Sequence, residues 1–231
     1  MKRFYREAAV GAGEGGFGVQ LDGRVIKTPA RRPLVLPNAA LAEAVAAEWA
    51  DQDETIEPDT MPLTRLATTA IDRVVDHREP VIDEAAAYGA TDMLCYRVAR
   101  PVELAASQAA GWHPLLDWLA ESHGASLAIT EGLIAIEQPK DALATLRALV
   151  AGFDTLGLTA VHTITAATGS LVIALALASN RIDATEAWRL CRMDEAYQAE
   201  RWGSDPETES RGEKLRIDIT AAAHFLTLCK A

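Results

Sequence analysis

Hydrophobic and polar positions change their period along this chain, and the change divides it in two. Near the start, Arg3–Val10 and Phe17–Leu21 have the aromatic and β-branched content of strands, and Val25–Lys27 and Leu34–Leu36 are expected as further short ones. The glycine run Gly11–Gly16 is expected as a hairpin loop, and Asp22-Gly23 as a second turn. From Ala39 to Asp51 the period is helical. Leu41, Val45, Ala46 and Trp49 make one stripe, and Asn38 is a good N-cap. After Met61-Pro62, the spacing of Leu63, Leu66, Ala67, Ala70, Ile71 and Val74 predicts an amphipathic helix to Val75, which Pro80 should end.

Helical patterning then dominates. It predicts helices over Val81–Tyr96, over Val102–His123 with a kink or a new start at Pro114, over Asp141–Phe153 and over a buried Leu158–Ser179. Asp183 is expected to cap a helix running through Trp188 to Trp202, and a last helix spans Glu207–Cys229. Leu127–Glu137 alternates around Glu131-Gly132 and is expected as a small hairpin. The fold class is therefore α+β and mainly helical. A small strand-containing domain over 1–80 precedes a larger orthogonal helical bundle over 81–231.

The stretch Ala187–Arg211 stands apart. Trp188, Cys191, Glu195, Gln198 and Trp202 recur at steps of three and four, placing two indoles, a carboxylate and an amide on one helical stripe. Gly203 can cap that helix in a left-handed conformation, and Pro206 stops it resuming. Asp205, Glu207 and Glu209 follow, closed by Arg211. One reading is a docking surface in which a tryptophan anchors an acidic turn. The other is structural: Trp202 closes the core and Asp205 caps the next helix.

Charge narrows the partners. The chain carries 33 acidic residues against 22 lysines and arginines, a net −11, which argues against nucleic acid or an anionic membrane and for a protein surface. Leu156–Ser179 is long enough to raise the question of a membrane span. His162, four threonines, Gly169 and Ser170 interrupt it, so a buried helix without stable membrane insertion is expected. The start, MKRFYREAAV, has no secretory apolar stretch and no Arg/Ser-rich presequence, which suggests a bacterial cytoplasm.

The search for chemistry returns little. Cys95, Cys191 and Cys229 are odd in number and far apart, with no CxxC, so neither a zinc knuckle nor a disulfide framework is encoded. The five histidines form no HxH or HxxxH pair, and no metal site is expected. Gly11–Gly16 satisfies GxGxxG formally, but strand residues follow instead of the helix that a dinucleotide site requires. There is no phosphate-loop motif and no nucleophile elbow. The acidic segment Asp51–Asp59 lacks the spacing of a calcium loop. An enzyme reading would have to draw on Asp72, Asp92 or Glu195 with Arg65 or Arg97 around a cleft between domains. A further alternative is an acidic scaffold for some other protein.

Eight stretches in order carry a resemblance: RFY at Arg3–Tyr5, LDGRVIKTPARRPLVLP at Leu21–Pro37, EWADQ at Glu48–Gln52, MPLTRLATTAID at Met61–Asp72, TDMLCYR at Thr91–Arg97, WHPLLDW at Trp112–Trp118, TGS at Thr168–Ser170 and DEAYQAERWGSDPE at Asp194–Glu207. Together they resemble the family of chaperones that assemble the F(1) head of ATP synthase, the Atp-twelve family. Thr68 and His113 depart from its pattern, where Asn and Asp are expected. The resemblance implies a non-enzymatic protein without cofactor, monomeric when free, whose client is the ATP synthase α subunit, held until β replaces it. It places this protein in the bacterial cytoplasm, or in the mitochondrial matrix of a eukaryote. The client-binding residues it implies are Asp194, Glu195, Trp202, Gly203, Asp205 and Glu207. Trp49 and Arg65 are assigned to structure, and Arg31 and Arg32 to a solvated loop or a second client contact.

Overall fold

Strand pairing begins close to the N-terminus. In the computed structural model, which describes residues 1–132 and 136–230, β1 (Ala8–Gly13) and β2 (Gly16–Leu21) pair antiparallel from Ala8↔Leu21 to Gly13↔Gly16. The glycine run expected as a loop is therefore mostly strand, with the turn confined to Glu14-Gly15. β3 (Arg24–Val25) and β4 (Val35–Leu36) both pair with β2. Helix α1 (Ala39–Ala50) packs on β1 and β2. Its cap is the expected one: Asn38 Oδ1 accepts from Leu41 N at 2.9 Å, while Asn38 Nδ2 donates to Leu228 O at 2.9 Å.

The first unit comprises Met1–Arg78, Asp154–Ala160 and His224–Ala231. Val19, Leu34, Leu36, Leu41 and Val45 are among its most deeply buried apolar side chains, removed from water by the sheet and α1. The helix expected over Leu63–Val75 is α2 (Pro62–Thr69) followed by a π-helical turn, Ala70–Val74. Glu48 caps α2 from α1. Its carboxylate accepts from Leu63 N, Thr64 N and Thr64 Oγ1, each at 2.7 Å, and burial pushes its pKa up. Gln52 ties down the acidic linker, accepting from Glu57 N at 2.7 Å and donating to Glu48 O and Thr60 Oγ1 at 3.0 Å. A satellite cluster of Tyr5, Leu21, Ile56 and Met61 has Trp49 packed against it, and Tyr5 Oη donates to Trp49 O at 2.6 Å.

The second unit comprises Glu79–Phe153 and Val161–Ala223. Pro80 lies in the first turn of α3 (Arg78–Ala87), where its missing N–H leaves no intrahelical bond unmade. The helix expected to reach Tyr96 stops early. Short 3-10 turns at Tyr88–Ala90 and Met93–Cys95 lead into β5 (Tyr96–Arg97), which pairs in parallel with β6 (Thr130–Glu131). This part is thus not entirely helical. The expected hairpin over Leu127–Glu137 has β6 on its first arm, and residues 133–135 lie outside the described ones. α4 (Val102–His123) runs without a break through Pro114, and α5 spans Lys140–Ala151.

The single buried helix expected over Leu158–Ser179 is two: α6 (Thr155–Thr168) and α7 (Leu171–Ala178), with every residue of α7 buried. Gly169 and Ser170, expected in mid-helix, form the break. Gly169 ends α6 in the left-handed region, at φ +70°, and a buried carboxylate holds the start of α7. Asp92 Oδ1 accepts from Ser170 Oγ at 2.7 Å and Leu94 N at 3.1 Å, and Asp92 Oδ2 accepts from Val172 N at 3.0 Å. Ser170 Oγ in turn accepts from Ile173 N at 3.0 Å, so α7 begins on a two-residue cap. α8 (Ala184–Cys191), α9 (Met193–Trp202) and α10 (Pro206–Cys229) complete the chain. Among the described residues no helix is long and apolar enough to cross a membrane.

Candidate functional site

All six residues singled out in Asp194–Glu207 lie in the second unit, on α9, the turn after it and the start of α10. The helix expected to run unbroken to Trp202 is interrupted at Arg192, which joins α8 to α9 with φ −110° and ψ 15°. The stripe from Trp188 to Trp202 is therefore not one face. Arg192 organises the break: its guanidinium lies 5.2 Å from the Trp188 ring centroid, and its Nε donates to Glu195 Oε2 at 2.8 Å. Trp188 Nε1 donates to Gly212 O at 2.9 Å. A Cβ on Gly212 would fall 2.2 Å from Arg192 Nη1, so any larger residue there would push the guanidinium aside.

The carboxylates differ in kind. Asp194 faces inward: its Oδ1 accepts from Gln108 Nε2 at 2.7 Å, and Gln108 is completely buried on α4. Gln108 Oε1 also accepts from Val98 N at 2.9 Å, while its backbone carbonyl accepts from Arg97 Nη1 at 2.5 Å. The Arg97 guanidinium lies 4.9 Å from the Trp112 ring centroid, and burial lowers its pKa. Trp112 Nε1 donates to Leu190 O at 3.0 Å, which fixes the end of α8 on α4. Asp194 therefore holds α9 in place. Glu195, by contrast, is exposed and pairs with Arg192.

Trp202 closes no core. It is 76% exposed at the end of α9, the most exposed large hydrophobic residue among those described. Gly203 follows with φ +81° and ψ 163°, not the expected left-handed cap but an extended exit in a region that side chains avoid. Asp205 does cap α10. Its Oδ1 accepts from Glu207 N and Thr208 N at 3.0 Å, its Oδ2 accepts from Thr208 Oγ1 at 2.8 Å, and these bonds hold its pKa below the usual carboxylate value. Pro206 fits the first helical position. Glu207 is exposed and pairs with Arg211 at 3.1 Å. The result is an indole standing free in water, with one exposed carboxylate two turns back on α9 and two more just after the helix, each partnered one turn away or by nearby backbone.

Sequence reasoning missed Arg192, Gln108 and Arg201. Arg201 lies 4.6 Å from the Tyr197 ring centroid and 3.8 Å from Glu103, so the α9 surface contains a cation as well as acids. Only the packed structure pairs these residues across helices, although the Arg192/Glu195 spacing alone could have marked the pair.

The residues of the enzyme reading are occupied within their own units. Asp72 accepts from Thr28 Oγ1 at 2.5 Å and Ala30 N at 2.9 Å, and Arg65 lies 3.9 Å from Asp59. Asp92 is sealed behind α7, and burial raises its pKa to about 6. Arg32 pairs with Asp76 and donates to Ile71 O at 2.7 Å, so it fastens its loop, whereas Arg31 is exposed. Burial pushes the thiols of Cys95 and Cys229 up to about 12 and that of Cys191 to about 11, which leaves them unreactive near neutrality. Among the described residues no group of His, Cys, Asp and Glu could hold a metal ion.

Comparison with known proteins is specific. The model of the ATP12 chaperone protein family matches residues 2–120. The mitochondrial protein atp12 of Schizosaccharomyces pombe is 24% identical over 241 residues, which cover 99% of this chain and 82% of that protein. The crystal structure of Atp12 from Paracoccus denitrificans is 42% identical with a TM-score of 0.94, over 99% of this chain and 98% of that one. An aspartate-to-lysine mutant of P. denitrificans Atp12p matches with the same identity and TM-score, over 97% of its chain.

Proposed function

We propose that this chain, which belongs to the ATP12 chaperone family, holds the free α subunit of ATP synthase in solution until the β subunit takes its place. The coarser statement, that it is a chaperone of ATP synthase assembly, follows from the family. The client and the surface that meets it are our reading. A free α subunit exposes surface that its neighbours cover in the assembled head, and such surface aggregates. A holding chaperone has to cover that surface and release it without chemistry.

One observation carries the placement: Trp202 is 76% exposed at the tip of α9. A free-standing indole is costly in water, and tryptophan is among the side chains enriched as anchors in protein interfaces. Glu195, two turns back on the same helix, and Asp205 and Glu207, just after it, are exposed acids that can turn from their own arginines and backbone to a basic client patch. Gly203 supplies the exit that leaves the indole uncovered. Asp194 supports the surface from beneath and is not expected to touch the client. The protein acts where ATP synthase is assembled, in a bacterial cytoplasm or a mitochondrial matrix.

Co-expression of α without β, with either this chain or its Trp202→Ala/Glu195→Lys/Glu207→Lys variant, which spares the Asp205 cap, tests the reading. Soluble α is expected with the first and aggregated α with the second, provided the variant melts normally. Equal protection by both would move the client elsewhere on the protein.

A further inference from the structure

The sign of the surface charge reverses at the start of the chain. Residues 1–32 hold seven lysines and arginines against three acids, a net +4, within a chain of net −11. The same segment lines a groove of about 620 Å³ in the first unit. Two of its walls are apolar and open to water: Phe4 is 65% exposed and Val25 41%. Trp49 lines it too, and its Nε1 is buried with no hydrogen-bond partner.

Arg24 and Lys27, both exposed, supply the charge of the groove. The one carboxylate in the lining, Asp22, is already engaged by Arg6 N and Glu7 N, whose bonds hold its pKa low. Among the described residues neither Arg24 nor Lys27 has an ion-pair partner in the way that Arg32 has Asp76. β3 forms this side of the sheet, pairing with β2 only, so among the described residues no strand covers its outer edge. The two cations guard this short edge against indiscriminate pairing and leave it open to a strand of opposite charge, while Phe4 and Val25 offer that strand apolar contact.

We propose that this groove docks an extended acidic segment of a partner protein. An aromatic or branched aliphatic side chain of the segment would enter beside Phe4 and Val25, its carboxylates would face Arg24 and Lys27, and its backbone would run along β3 as an added strand. The partner chemistry is opposite to that fitted by the acidic Trp202 surface. The groove therefore reads a different segment from the α9–α10 turn, and this inference does not depend on which client that turn holds.

Fluorescence anisotropy of the full chain with a fluorescein-labelled decapeptide, in which Phe and Val alternate with Glu and Asp, tests this. The control peptide carries Lys in place of every acid. Saturable binding of the acidic peptide is expected, with affinity falling as salt rises, and none of the lysine peptide. The double variant Arg24→Glu/Lys27→Glu should weaken binding by about tenfold at low salt, and Phe4→Ser by about as much. All three side chains are exposed, so thermal melts should stay unchanged and a loss of binding cannot be ascribed to unfolding. Absence of saturation, equal binding of the lysine peptide, or affinity untouched by both variants would each overturn the proposal. A self-association seen by sedimentation and abolished by Phe4→Ser would overturn it in favour of a second copy as occupant.

Discussion

Replacing Asp92 by Asn keeps the shape of the side chain and removes its charge, in a place where the charge has a calculable cost. The carboxyl is completely buried and receives Ser170 Oγ, Leu94 N and Val172 N. These donors favour the anion, but burial outweighs them and raises the pKa from 3.8 to about 6. That difference corresponds to roughly 3 kcal/mol against the ionised folded form at neutral pH. Because the folded value lies above the unfolded one, the stability this group contributes is complete below about pH 4 and is lost as pH rises through about 6. In the Asn variant the amide leaves one buried N–H, that of Val172, without its acceptor, at a cost of about 1–3 kcal/mol independent of pH. Asp92→Asn should therefore be clearly less stable than the parent at pH 4. The deficit should shrink by roughly 3 kcal/mol between pH 4 and 7.5. Urea unfolding of both proteins across that range measures the gap directly. A gap that stays constant, or widens as pH rises, would show that the donors at the start of α7 dominate burial and would refute the reasoning.

Other substitutions separate support from contact. Asp194→Ala leaves the amide of Gln108 buried without an acceptor and should cost about 1–3 kcal/mol of stability in denaturant unfolding. Trp202→Ala removes an exposed side chain, so stability should stay within about 0.5 kcal/mol, while client affinity measured by titration calorimetry falls at least about fivefold. Gly212→Ala should force Arg192 off Trp188 and Glu195, shifting tryptophan emission and loosening the α8–α9 joint without unfolding the chain. The exposed carboxylates of Asp22, Asp76 and Asp205 are held below their ordinary pKa. Their contribution is present at neutral pH and fades as acid protonates them, opposite in sign to Asp92, and NMR titration of their side-chain carbons resolves the two behaviours.

Much of the fold is written in local signals. Asn38, Asp183 and Asp205 each cap the helix that follows them, because an N-cap needs only a short polar side chain and the next turn of the same chain. The breaks inside predicted helices were less legible. Gly169 and the Ser170 cap are local signals for the gap between α6 and α7, but the Asp92 that holds it is distant in sequence, and the gap between α8 and α9 is marked by Arg192 closing over Trp188. The same logic explains the glycine run. Loop-like by composition, it becomes strand because β2 finds β1 on one side and β3 and β4 on the other.

The stretches that carry the family resemblance turn out to hold the structure together. Tyr5 donates to Trp49 O, Glu48 caps α2, Asp72 holds the Thr28–Ala30 loop, and Trp112 fixes α8. Most of that signature therefore reports the fold. Within the candidate site the sequence could group the acids with Trp202 but could not sort them. Burial of Gln108 makes Asp194 a support, whereas exposure leaves Trp202, Glu195 and Glu207 available to a partner.

The central claim is that this protein keeps a free α subunit soluble and surrenders it to β. Size-exclusion chromatography of the co-expressed α subunit and this chain, before and after addition of purified β, tests it most directly. The account predicts one co-eluting complex that β dissolves, leaving this chain as a free monomer. An α subunit that aggregates in its presence, or a complex that β cannot displace, would contradict it.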